Sequence, residues 1–131
     1  MKYFQFNKLV RDKIVDNMKE NGQEVIGVRK LKKEEYFEEL KKKLREEVEE
    51  FLQVKNKEDL NEEFADVQEV IDYIQKELKM KDSDFQKFKT KKTAKSGGFE
   101  KKIYLESVGI REDSEWLEYF ENNPEKYPPV G

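Results

Sequence analysis

Two stretches of this chain carry apolar residues at helical spacing, and each has carboxylates set into its apolar side. The first stripe is Tyr36, Phe37, Leu40, Leu44, Val48, Phe51 and Leu52; the second is Leu60, Phe64, Val67, Val70, Ile71, Ile74 and Leu78. At about 100° per residue, each set fills one broad arc of a helix. The spacing predicts helices over Lys33–Val54 and Lys57–Lys79, with a short join near Lys55–Glu58. So short a join dictates antiparallel packing, and the fold class expected is all-α, built on a helix hairpin.

The acids are placed selectively. Glu47 falls inside the first arc, Glu50 at its edge and Glu46 just beyond, whereas Glu49 points to water. Glu63 falls inside the second arc and Asp66 at its border. Glu69 and Asp72 repeat the Glu-x-x-Asp spacing outside the stripe, with Asp72 nearly opposite its centre. Residues at i and i+3 share a helix face, so the hairpin should present two carboxylates from each helix across one interface. Carboxylates gathered away from water are costly unless something neutralises them, and oxygen-only ligands suit the hard cations Mg²⁺ and Mn²⁺. With 44% of residues charged, any single match of this kind is expected as a solvated face. Two matches on the inner sides of adjacent helices are not.

Composition narrows the chemistry further. The chain has 131 residues, neither cysteine nor histidine, and is expected to form one domain over 1–131. Zinc sites of the usual kind, cysteine nucleophiles and histidine-based triads are therefore excluded. Any catalysis must come from carboxylates, lysine, arginine, hydroxyls and a metal. A net charge of −3 gives no reason to expect nucleic-acid binding. No apolar run is long enough to span a membrane, and MKYFQFNKLVRDK does not read as a signal peptide. Together with the absence of cysteine, this makes a cytoplasmic location the expectation. A hydrophobic content of 35% is lean for a monomer's core, which favours a homodimer or higher homo-oligomer.

Elsewhere the pattern predicts a first helix over Asn7–Asn21, stopped at Gly22, and a short extended segment or loop within Glu24–Leu31. A fourth helix is expected to be N-capped by Ser83 and to end at Ser96-Gly97-Gly98. Phe99–Glu106 alternates as a short strand would. A last short helix is expected near Ser114–Asn122, before a proline-rich tail.

Glu46-Glu47-x-x-Glu50, followed after twelve residues by Glu63-x-x-Asp66, resembles the signature of the all-α nucleoside triphosphate pyrophosphohydrolases, the MazG-like superfamily. NKLVRDKI (Asn7–Ile14) and the segment Lys92–Leu105, with its SGGFEKKIYL, resemble a subgroup predicted to be house-cleaning pyrophosphatases of non-standard NTPs. The resemblance implies a helical bundle, usually dimeric, that hydrolyses an NTP between the α- and β-phosphates to NMP and pyrophosphate. It carries Glu47, Glu50, Glu63 and Asp66 over as metal ligands. Glu46 matches the first acidic position, as an aid to a second metal or an orienter of the attacking water. Phosphoribosyl-ATP or dUTP/dCTP hydrolysis on the same fold, and a helical interaction module without catalysis, are the competing readings.

Phosphoryl chemistry needs charge neutralisation and in-line positioning more than covalent catalysis, and a hard cation supplies the first while acidifying water. Cations are also needed to grip a triphosphate. Lys8, Arg11 and Lys13 form one basic group, in which Arg11 can engage a phosphate bidentately. Lys81–Lys95 contains six lysines and two aspartates, and Lys92 and Lys95 stand just before Gly97-Gly98. Lysines on such a helix usually form only a soluble face. Phe99 is a candidate to stack on a base, or a strand-borne core residue.

Overall fold

A computed structural model describes all residues from Met1 to Gly131. It contains five helices and no strand: α1 (Ile14–Glu20), α2 (Lys33–Gln53), α3 (Lys57–Glu77), α4 (Asp82–Ser96) and α5 (Leu117–Glu121). The all-α expectation holds at this level. The chain divides into two compact units, Met1–Phe88 and Lys89–Gly131, each described by itself below.

In the first unit the one helix–helix interface is α2 on α3. The two are joined by Val54, Lys55 and Asn56, and the Asn56 side chain accepts a hydrogen bond from the Asp59 amide at 2.9 Å, capping α3. The interface is centred on Leu40, Val67 and Val70, the buried apolar residues of the molecule. Much of each stripe is left uncovered: Leu52 is 71% exposed, Phe64 50% and Leu78 47%. Amphipathic pattern thus fixes the hairpin, while burial is confined to its centre.

Helix α1 is shorter than the periodicity predicts. Asn7 to Lys13 form no helix; Asn7 has φ 45°, and the chain turns into α1 after Arg11. Val10, Ile14 and Met18 do recur every four residues, but Leu9 and Val10 are partly covered while Lys8 and Arg11 reach out to acids on α2 and α3. Helix preference is worth only tenths of a kcal/mol per residue, about 0.7 at most for ordinary side chains, so three apolar residues in register do not by themselves hold this segment helical. At its far end α1 stops as expected: Gly22 takes φ 80° and donates to the Lys19 carbonyl at 3.0 Å.

Helix α4 begins at Asp82, so Ser83 lies inside it and is not its cap. The carboxylate of Asp84 instead accepts the Lys81 amide at 3.3 Å, and Asp82 accepts from Gln75 on α3 at 2.5 Å. Its C-terminus falls at Ser96, with Gly97 at φ 81°, as the glycine pair predicts.

The strand expected over Phe99–Glu106 does not form. Phe99 is 98% exposed, with Ile103, Tyr104 and Leu105 also in solvent, so Phe99 is no core residue either. Alternation alone cannot make a strand: the backbone needs a partner strand to satisfy its polar groups, and no other strand exists. Lys102, at φ 56°, also breaks the extended run. The second unit is organised further on, where Trp116, Tyr119, Phe120 and Tyr127 form an aromatic cluster; the Phe120 and Tyr127 ring centroids are 4.7 Å apart. No helix is long and apolar enough to cross a membrane.

Candidate metal centre

The acids of α2 and α3 meet where the two stripes face each other. One carboxylate oxygen each from Glu47, Glu50 and Glu63 lies within 4.8 Å of the others, a grouping that could hold a metal ion. The hairpin produces this directly. Glu47 and Glu50 share a face of α2 by their i,i+3 spacing, and antiparallel packing brings Glu63 of α3 across from them. Phe51 and Phe64, the residues following Glu50 and Glu63, pack across the same interface with ring centroids 5.8 Å apart.

The carboxylates of the cluster repel one another and are partly out of water. The Glu47 side chain is only 12% exposed. Its carboxyl is held above the usual carboxylate range, first by burial and then by the neighbouring Glu50 and Asp66 charges, with Lys43 pulling the other way. The Glu63 carboxyl is likewise pushed up, first by loss of water and then by Glu50 and Asp66. Oε2 of Glu47 and Oε2 of Glu63 are both buried without a hydrogen-bond partner. Buried polar atoms are nearly always satisfied, so two orphaned oxygens in one acidic cluster are a fit for a ligand with positive charge. The donor set is all oxygen, the kind hard cations take.

Asp66 and Glu46 flank this group and are engaged elsewhere. Arg11 Nη2 donates to Asp66 Oδ1 at 2.8 Å, and Lys8 Nζ donates to Glu46 Oε1 at 3.1 Å. The Asn7–Lys13 segment therefore brings two of its three predicted phosphate-binding cations to the acids, and Arg11 pairs with Asp66 rather than with its neighbour Asp12. Lys13 takes no part in these pairs; it directly precedes α1. Lys92 and Lys95 lie on α4, and Phe99 follows it, all in the second unit.

One cation escaped the sequence reading. Lys43 lies 3.6 Å from Glu46 and 3.7 Å from Glu47. Its signal was present in the i,i+3 and i,i+4 spacing to those acids, but such pairs are common on a lysine-rich helix.

No protein-family model matches the chain, and no curated protein or solved structure shows significant similarity to it.

Proposed function

We propose that the protein is a divalent-metal-dependent nucleoside triphosphate pyrophosphohydrolase. The observation that carries this reading is the convergence of Glu47, Glu50 and Glu63, with two buried carboxylate oxygens left unpartnered. Glu47, Glu50, Glu63 and Asp66 would hold Mg²⁺ or Mn²⁺. The cation's contribution when bound is neutralisation of phosphate charge and acidification of water.

The chain's own residues do the rest. Glu46, which flanks the cluster, would accept a proton from the attacking water. Lys8 and Arg11 stand beside the acids, where a polyphosphate drawn to the cation would lie. Arg11 offers a planar fork of donors to phosphate oxygens. Cleavage between the α- and β-phosphates would yield a nucleoside monophosphate and pyrophosphate, consistent with disposal of unwanted nucleotides. A homodimer belongs to the same reading: Phe64, Ile71 and Leu78 form an exposed apolar row on α3 that a second copy's hairpin would cover.

Pyrophosphate release from a panel of standard and modified NTPs tests the proposal. It is measured with Mg²⁺, with Mn²⁺ and with chelator, for the natural protein and for Glu63→Gln. Release that requires the cation and is lost in the variant is the expected result. A folded protein that neither binds Mn²⁺ nor releases pyrophosphate would overturn it.

A further inference from the structure

The fourth carboxylate of the hairpin is not free. Asp66 sits three residues after Glu63 and on the same side of α3, yet it stands outside the group of converging oxygens. The difference between the two acids is Arg11, whose guanidinium holds Asp66 Oδ1 at 2.8 Å. We propose that Arg11 is a displaceable counter-ion in a metal-ligand position: when a divalent cation binds, Asp66 turns from Arg11 to the cation, and the freed guanidinium becomes the phosphate grip. This rests on the metal reading above and adds a coupling between cation binding and the N-terminal segment.

Three observations support the exchange. The segment from Asn7 to Lys13 has no regular structure of its own. Its polar attachments to the hairpin are the Arg11–Asp66 and Lys8–Glu46 pairs, so breaking them disturbs no helix. Both pairs are water-accessible, with Arg11 58% and Asp66 41% exposed, and exposed ion pairs are weak and readily exchanged. Finally, five carboxylates face three cations, Lys8, Arg11 and Lys43, leaving a formal excess of two negative charges. A divalent ion presents twice the charge of a guanidinium and suits carboxylate oxygen better.

The consequence is an ordered site. Before the cation arrives, Asp66 holds the guanidinium through Nη2, so a triphosphate must compete with Asp66 for it. Afterwards the same side chain stands beside the acids with its five N–H donors available. Cation first, nucleotide second is the binding order this arrangement sets.

The test uses Mn²⁺ alone, without nucleotide, on the full chain. Calorimetric titration compares the natural protein with Arg11→Gln, Lys13→Gln and Glu63→Gln. Arg11→Gln should bind Mn²⁺ about two- to fivefold more tightly, the range set by loss of one competing exposed pair. Lys13→Gln controls for the loss of one positive charge and should change affinity less. Arg11→Gln binding no more tightly than Lys13→Gln would overturn the exchange while leaving the metal centre standing. Failure of the natural protein and Arg11→Gln alike to bind Mn²⁺ would remove both. Binding that persists undiminished in Glu63→Gln would place the cation elsewhere and also overturn the proposal.

Discussion

Helix α3 carries Glu63/Asp66 and, six residues on and out of phase with them, Glu69/Asp72, with the same spacing and in very different surroundings. Glu63 faces α2, has one carboxylate oxygen out of water, and is pushed towards protonation by that burial and then by Glu50 and Asp66. Glu69 and Asp72 border an open groove with Tyr73, Gln75, Lys76 and Met80, and no acid of α2 lines it. A carboxylate pair becomes a candidate ligand set only when its helix face is the one that packs. The comparison shows why a linear motif needs a helical phase beside it.

The largest expected difference between the two pairs is in catalysis. Glu63→Gln should lower metal-dependent pyrophosphate release by about 10²–10³-fold, the scale of losing one charge-stabilising group in an active site. Glu69→Gln should leave turnover within about twofold, since a solvated surface group contributes little. Equal losses in both variants, measured as kcat/KM, would break the comparison.

Stability should divide along the same seam. Leu40, 3% exposed at the centre of the interface, should cost about 2–5 kcal/mol when changed to alanine. Leu52→Ala, at 71% exposure, should change stability by about 0.5 kcal/mol or less in the monomer. Urea unfolding at low protein concentration reads both. A cost at Leu52 that appears only as protein concentration rises would show a second copy covering this residue.

The acid cluster also sets a pH dependence. Glu47 and Glu63 have folded-state pKa values above the ordinary 4.5, so the folded protein binds more protons than the unfolded chain in the window above that value. Their contribution is fully favourable below the ordinary value and is lost as pH rises through the raised one. The metal-free melting temperature should therefore fall across this window. Glu63→Gln should flatten the fall, Glu69→Gln should not, and Mn²⁺ should oppose it. The smallest effect is expected at the helix starts. Asn56→Ala removes the α3 cap and should cost about 1 kcal/mol. Lys32, which makes no side-chain cap on α2, should tolerate alanine within about 0.5 kcal/mol.

The hairpin was legible because two long stripes carry a strong, redundant periodic signal, and helical phase alone separated Glu63 from Glu69. The joint placement of Glu47, Glu50 and Glu63 followed from that phase and a short turn. The N-terminal segment was misread as helix because Val10, Ile14 and Met18 fit the period, whereas its charged side chains meet partners far along the chain that no local period reports. The Phe99–Glu106 strand failed for the opposite reason: a sound local pattern had no partner. Asp66 was grouped with the other acids by spacing, and no local rule could assign it to Arg11.

The distances along the chain also bear on how the site comes to exist. All five acids lie between Glu46 and Asp66, on helices joined by a tight turn, so their meeting requires little loop-closure entropy and can occur early. Lys8 and Arg11 must return across 38 and 55 residues to reach Glu46 and Asp66. In a folding chain the acidic pocket should thus form before its internal cations arrive. During that interval its charge is uncompensated by Lys8 and Arg11, and a divalent ion in the medium would act on the folding rate as well as on the finished fold.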